Sequence, residues 1–251
     1  MITQQCKSRK LKKMSIKTTK NYSQNFSFPK RNNSMIKYLI FHYTGMKNAE
    51  SAIKRLKALQ SKVSSHYLIK RNGEIINLVP DLYIAWHAGI SFWKKDKLLN
   101  KKSIGIELVN PGHKFGYINF TRNQVNSLIR LSKFLIKKYN IKSTNILAHS
   151  DIAIKRKKDP GEKFPWEYLY KKKIGRWHNL SLNLLSSLRK KSIDNLMKKE
   201  FFKNLNKIGY AIKKNKDCLF ATKAFQRRFR PQLINGIIDK ECLIISKKIL
   251  K

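Results

Sequence analysis

His149 and Asp159 stand at the two ends of one loop, Ala148-His149-Ser150-Asp151 through Arg156-Lys157-Lys158-Asp159-Pro160. An imidazole and a carboxylate at the ends of one loop can reach a single divalent ion. Lys157, two residues before Asp159, would set a fixed positive charge beside that ion. Zinc hydrolases use three protein ligands and keep a fourth position open for water. The loop offers two of the three, so the third ligand and a base must come from elsewhere in the chain.

The elements that must position these groups follow from apolar patterning. Asn145-Ile146-Leu147-Ala148 reads as a short buried strand that delivers His149. Ile36 to Phe41, interrupted by Lys37, reads as a second strand and ends on His42. Ser103 to Leu108 reads as a third, and Glu107 is out of place in it. A carboxylate in an apolar strand is costly unless it is paired or used. Asn48 can cap a helix with Ala52, Ile53, Leu56 and Leu59 on one face. Asn72-Gly73 between two apolar runs, 66–69 and 75–79, predicts a hairpin. Ala85-Trp86-His87-Ala88-Gly89 is a small-residue loop around an aromatic and a histidine. Thr121 and Gln124 form a capping box for a helix carrying Val125, Leu128, Ile129, Ser132, Leu135 and Ile136 inward. The order β-α-β-β-β-α-β predicts an α/β unit, a mixed central sheet flanked by helices, over 31–175.

The pattern changes near Ser192. A connector rich in Ser, Leu and Lys, 176–191, precedes three short helical patterns. The first carries Met197, Phe201, Leu205 and Ile208 and stops at Gly209. The second runs from Thr222 to Arg230, before Pro231, and Asp239 opens the third with Cys242, Ile245 and Ile249 on one face. Their spacing predicts a small separate three-helix bundle over 192–251.

Composition narrows the class. The 251 residues carry 56 basic against 14 acidic side chains, a net charge of +42, with 41% hydrophobic residues. That apolar fraction supports a real core, and no run approaches the ~20 apolar residues of a membrane helix. The segment 1–30 holds eight basic residues and no acid, without the apolar stretch of a signal peptide, and reads as a disordered basic tail. Such a charge suggests an anionic partner, nucleic acid included. The lysines are spread along the chain instead of forming one stripe, which argues against that partner. Cys6, Cys218 and Cys242 show no metal-binding spacing and read as unpaired.

Each candidate has an ordinary alternative. A histidine at a strand end is more often a hydrogen-bonded structural residue than a ligand. Glu107 could pair with one of many lysines, and Lys157 could be one more solvated charge. His66 could equally be core, and His113 and His178 read as loop residues. Taken as a set, His42, His149 and Asp159 would hold a zinc ion, Glu107 would act as base and Lys157 would meet the oxyanion.

At these residues the chain resembles the type 2 zinc-dependent N-acetylmuramoyl-L-alanine amidases. The resemblance covers roughly 35–168 and is carried by five motifs in order. They are Phe41-His42-Tyr43-Thr44, then Ser65-His66-Tyr67-Leu68-Ile69 with Asn72-Gly73, then Trp86-His87-Ala88-Gly89, then Ser103-Ile104-Gly105-Ile106-Glu107-Leu108, and last His149-Ser150-Asp151-Ile152-Ala153 with Lys157 and Asp159-Pro160-Gly161. It implies His42, His149 and Asp159 as zinc ligands, Glu107 as catalytic carboxylate, Lys157 as oxyanion partner, and Trp86 and His87 at the substrate cleft. Ile154 and Lys158 depart from the family pattern. The tail resembles a three-helix peptidoglycan-binding module, through Leu205-Asn206-Lys207-Ile208-Gly209-Tyr210, Ala224 to Pro231 and Ile234 to Asp239.

The resemblance implies hydrolysis of the amide between muramic acid, intact or 1,6-anhydro, and L-alanine. Peptidoglycan and muropeptides are the implied partners. The alternative is a peptidoglycan-recognition protein without catalysis, which need not keep ligands, base and lysine together. A sacculus-binding tail implies the cell envelope or secretion, whereas the absent signal segment points to the cytoplasm.

Overall fold

The structure, a computed structural model, describes residues 16–251. In chain order the strands and helices are β1 (Thr19–Lys20), β2 (Phe26–Ser27), β3 (Tyr38–Tyr43), α1 (Ala49–Lys57), β4 (Tyr67–Ile69), β5 (Ile75–Asn77), β6 (Ile84–Ala85), β7 (Phe92–Trp93), β8 (Asp96–Lys97) and β9 (Ser103–Leu108). They continue with α2 (Arg122–Tyr139), β10 (Ile146–Ala148), α3 (His149–Ile152), α4 (Trp166–Lys171), α5 (Leu182–Leu188), α6 (Asn195–Ile208), α7 (Asp217–Phe229) and α8 (Lys240–Leu250).

The central sheet runs β1-β5-β4-β9-β3-β10. It is mixed: β4 and β5 are the antiparallel hairpin, and β3 is parallel to both β9 and β10. Alternation along each strand assigns side chains to two faces. Leu39, Phe41, Ile104, Ile106, Leu108, Ile146 and Ala148 share a core with Leu128, Leu131 and Leu135 of α2. Leu131 and Tyr139 join that buried face, while Val125, Ile129 and Ile136 flank it half-exposed. Thr121 and Gln124 make the predicted capping box.

The opposite face is covered in two parts. Over β4 and β5, Leu68 and Ile76 pack on Ala52 and Leu56 of α1. Asn48 caps α1 as expected, but Leu59 lies beyond its end and is exposed. Over β3 and β10, Tyr38, Ile40 and Leu147 share one core with Phe201, Leu205, Phe225 and Ile245 of the tail. A sheet buried on both faces explains why Ile36 to Phe41 is a nearly continuous apolar run.

The three tail helices lie where the spacing predicts, with two differences. Helix α7 begins at Asp217 instead of Thr222: the Asp217 carboxylate accepts from Lys213 N–H and Lys214 N–H at its start, and the Thr222 hydroxyl lies inside the helix, donating to Cys218 O, 2.8 Å away. The tail's apolar side also does not close on itself. Gly209, at φ +138°, lies against the indole of Trp93, where a Cβ would come within 2.5 Å of the ring. Lys94 N donates to Gly209 O. The stretch expected as a connector contains α5, whose Leu185 enters the shared core, and Arg189, which pairs with the buried Glu241.

The basic tail expected over 1–30 is altered likewise. Residues 1–15 lie outside the described residues. From 16 onward the chain adds β1 to the sheet edge and pairs β2 with β6. The buried Asn25 side chain donates to Ala58 O and Val63 O, so backbone bonding overrides a composition that reads as disordered.

Candidate active site

Between α1 and the tail, the second face of the sheet stays open over β9. In register, His42 on β3 lies beside Glu107 on β9, and Phe41 beside Ala148, after which the chain turns into His149. Three neighbouring parallel strands therefore end on His149, His42 and Glu107. Ligand sites of such sheets form outside the carboxyl ends of the strands.

His42, His149 and Asp159 are all buried and converge. His42 Nδ1 is 2.9 Å from His149 Nδ1 and 3.1 Å from Asp159 Oδ2, and His149 Nδ1 is 3.0 Å from the same oxygen. The hydrogen-bond partners behind them assign the protons. Ser103 Oγ donates to Leu99 O at 2.7 Å, because a carbonyl can only accept. It therefore accepts from His87 Nε2–H, 3.1 Å away. His87 Nδ1 is then an acceptor and takes the proton of His42 Nε2, at 3.0 Å. His149 Nε2–H donates to Ala88 O at 3.1 Å. Both Nδ1 atoms are left with lone pairs pointing at a carboxylate oxygen. Three acceptors facing one another repel unless a cation lies between them. Ligand bonds of ~2.0–2.1 Å in a tetrahedral site would put such atoms ~3.3 Å apart, close to the observed spacing. The donor set fits zinc.

The titration behaviour agrees. Burial, followed by repulsion from His149, pushes the His42 imidazole down to about 4, so it is neutral at pH 7. Burial would raise the Asp159 carboxyl, and only positive charge or N–H donation at the triad holds it far below the usual carboxylate range, the part a cation takes where both Nδ1 atoms carry lone pairs. Glu107 is pushed up to about 8, first by burial and then by the charge of Asp159, with Lys157 opposing. Its Oε2 is buried without a hydrogen-bond partner. Lys157 lines the cleft and pairs with no carboxylate among the described residues. Positive charge at the triad would draw Glu107 back towards its ionised form.

The cleft, about 680 Å³, is lined by Trp86, Glu107, His149, Lys157 and Asp159, with Arg55, Lys114 and Arg156 among its cations. Trp86 borders it, anchored by its indole N–H to Ser27 Oγ at 2.7 Å. His87 borders it too, but its ring is committed to His42 and Ser103. Its place in the site is behind a ligand, as support. Gly105 leaves room for that ring, since a Cβ there would lie 2.4 Å from it. His66 is core: its Nδ1 accepts from Gly105 N–H and its Nε2 faces Tyr83 O. His113 bonds Tyr43 and Glu162 at the rim, and His178 accepts from Leu180 N–H.

Three supporting residues escape the sequence reading. Asn100 Oδ1 accepts from the backbone of His87 and Ala88, and Arg156 donates to Ala88 O and Ile90 O. Ser103 orients His87. For Ser103 and Gly105 there was a signal: small residues alternate with Ile104 and Ile106 on β9, which marks a face that something else must fill. Asn100 lies in a single 3-10 turn, Leu99–Lys102, and Arg156 in a loop, and neither carried one.

A buried two-histidine, one-carboxylate triad beside a carboxyl group and an ammonium is the kind of donor set that metal-dependent hydrolases use. Residues 31–162 match the N-acetylmuramoyl-L-alanine amidase family. The N-acetylmuramoyl-L-alanine amidase AmiD of Escherichia coli is 37% identical over 235 residues, 86% of this chain and 83% of that protein. The chain belongs to this amidase family. The 1,6-anhydro-N-acetylmuramyl-L-alanine amidase AmpD of Haemophilus influenzae is 41% identical over 109 residues, 43% of this chain and 57% of its own. Among solved structures, E. coli AmiD in complex with anhydro-N-acetylmuramic acid-L-Ala-D-gamma-Glu-L-Lys superposes with a TM-score of 0.76 at 35% identity, covering 89% of this chain and 90% of that one. AmpDh3 of Pseudomonas aeruginosa in complex with an anhydromuramic pentapeptide gives 0.74 at 30% identity, covering 89% and 93%.

Proposed function

We propose that this protein is a zinc amidase that cleaves the bond between the lactyl carbonyl of N-acetylmuramic acid, intact or 1,6-anhydro, and L-alanine in peptidoglycan or its fragments. The observation that carries this is the convergence of two imidazole lone pairs and a carboxylate next to Glu107 and Lys157.

His42, His149 and Asp159 would hold the metal, which supplies Lewis acidity towards the amide carbonyl and lowers the pKa of water. Glu107 takes the proton of the attacking water and returns it to the departing alanine nitrogen. The Lys157 ammonium faces the negative charge that develops on the carbonyl oxygen. Trp86 borders the substrate. Arg55, Lys114 and Arg156 suit the carboxylates of a stem peptide.

The tail's resemblance to binding modules favours the cell envelope or secretion, with the cytoplasm as the alternative; fractionating cells decides between them. No helix among the described residues is long and apolar enough to cross a membrane. The tail's resemblance to binding modules supports peptidoglycan as a partner beyond the cleft, which co-sedimentation with purified sacculi tests.

The central test incubates purified protein with anhydromuramyl tripeptide and follows release of free tripeptide. Wild type is expected to turn over and to contain one zinc. His149→Ala is expected to lose both. Full activity and zinc content in that variant would remove the assignment.

A further inference from the structure

The loop between His149 and Asp159 has little structure of its own. After the single turn of α3, residues 153–165 form no helix or strand, and Lys155, Arg156 and Lys158 are exposed. Two metal ligands and Lys157 nevertheless depend on its shape. Such a segment opens locally unless it is held from outside.

The tail holds it. Asp151, fully buried, accepts from Ala148 N–H at 2.8 Å and so shapes the turn that presents His149. One oxygen of Asp151 also accepts from Tyr210 OH at 2.8 Å, and the other pairs with Arg228. Arg228 donates further to Ile146 O at 2.9 Å, on the strand leading into His149, and lies 4.1 Å over the ring of Trp166. Farther along the loop, Lys155 pairs with Asp217 at the start of α7. Beyond Asp159, Glu162 faces Arg227 at 4.0 Å. One tail helix thus meets the ligand loop before, between and after its two ligands.

We propose that the helical tail is a positioning element of the metal centre: Tyr210 and Arg228 act through Asp151 on the turn carrying His149, and Asp217 acts through Lys155 on the span between the ligands. A binding module fused for targeting would need none of these contacts. An apolar interface alone would join the two regions without buried polar groups, which are costly unless mutually satisfied. Here the paired groups are placed on the loop that carries the ligands.

The test compares Tyr210→Phe and Arg228→Met with Arg189→Met, which breaks the pair between the segment carrying α5 and Glu241 of the tail, away from the ligand loop. Two readouts apply: amide hydrogen exchange of segment 146–160 in metal-free protein, and the rate of zinc transfer to a chelator. Only the second rests on the zinc assignment, so wild type without zinc would sink that assignment while the exchange arm still decides this one. Tyr210→Phe and Arg228→Met should exchange faster over 146–160 and release zinc about 10-fold faster or more, the scale on which outer-shell changes act. Arg228→Lys should recover part of the loss. Arg189→Met should lower Tm yet leave both readouts at wild type. Unchanged exchange in Tyr210→Phe, or an equal rise in Arg189→Met, overturns the proposal. Should Arg228→Met fail to fold, Tyr210→Phe carries the decision.

Discussion

The two halves of this molecule carry their polar groups differently. In the sheet unit, buried histidines and carboxylates gather at the ends of β3, β9 and β10 and face one another. In the tail, buried acids are matched to arginines: Glu241 pairs with Arg189, on the segment leading into the tail, and Asp239 pairs with Arg230. Leaving one partner of such a pair alone in the interior costs about 3–5 kcal/mol, so finished pairs act as structure. The triad instead turns three acceptors towards one point, and Glu107 Oε2 has no hydrogen-bond partner. Arg228 and Asp151 lie across the boundary, a finished pair with one member in each half.

The sharpest way to break the contrast is to remove one half. Truncation after Lys191 would strip Phe201, Leu205, Phe225 and Ile245 from Tyr38, Ile40, Leu147 and Trp93. We expect no soluble folded protein and no turnover, read by circular dichroism and activity. A folded, active fragment would show that the sheet face tolerates water and that the halves are independent.

Substitutions within the triad's surroundings come next. Glu107→Gln should lower kcat by about 10²–10⁴-fold, the usual loss of a general base, with zinc retained. Lys157→Ala should cost about 10²–10³-fold in kcat, with KM moving less. If either residue served only to stabilise the fold, Tm would fall while kcat of the folded fraction stayed near wild type.

Ser103→Ala probes the proton chain. Without its hydroxyl, His87 loses the acceptor that fixes its tautomer, and through it that of His42. Zinc affinity should fall by about 10-fold, measured by competition with a chelator. An unchanged affinity would mean that His42 is oriented by packing alone.

A further expected effect, read apart from catalysis, is on the pH dependence of stability in metal-free protein. Glu107 titrates at about 8 in the folded chain against 4.5 ordinarily, so the folded state keeps a proton that the unfolded state releases. Stability contributed by that proton is complete below about pH 4.5 and declines as pH rises to about 8. Glu107→Gln lacks this decline, so its Tm should gain on wild type across that window and run parallel outside it. A constant difference from pH 4 to 9 would contradict the raised pKa.

Much of the sheet unit was legible because its signals are local. A hairpin needs Asn72-Gly73 between apolar runs, a helix start needs Thr121 with Gln124, and both are read within a few residues. His42, Glu107 and His149 could be singled out as polar residues ending or interrupting apolar strands. His87 was legible as part of the site but not in its role, because its hydrogen bonds to His42 and Ser103 span 45 and 16 residues.

By itself the sequence determined the main strands and helices, though not β1, β2 or α5, and which polar residues are too costly to bury without a use. Periodicity and capping act between near neighbours, so they survive in a string of letters. Only the tertiary structure decided what covers the second face of the sheet. An apolar helix face states that it must be buried, but not against what. The contacts that join Tyr210 and Arg228 to Asp151 span 59 and 77 residues, and no local rule connects them. The tail's helices were therefore legible one by one, while their attachment to the loop that carries His149 and Asp159 was settled only by packing.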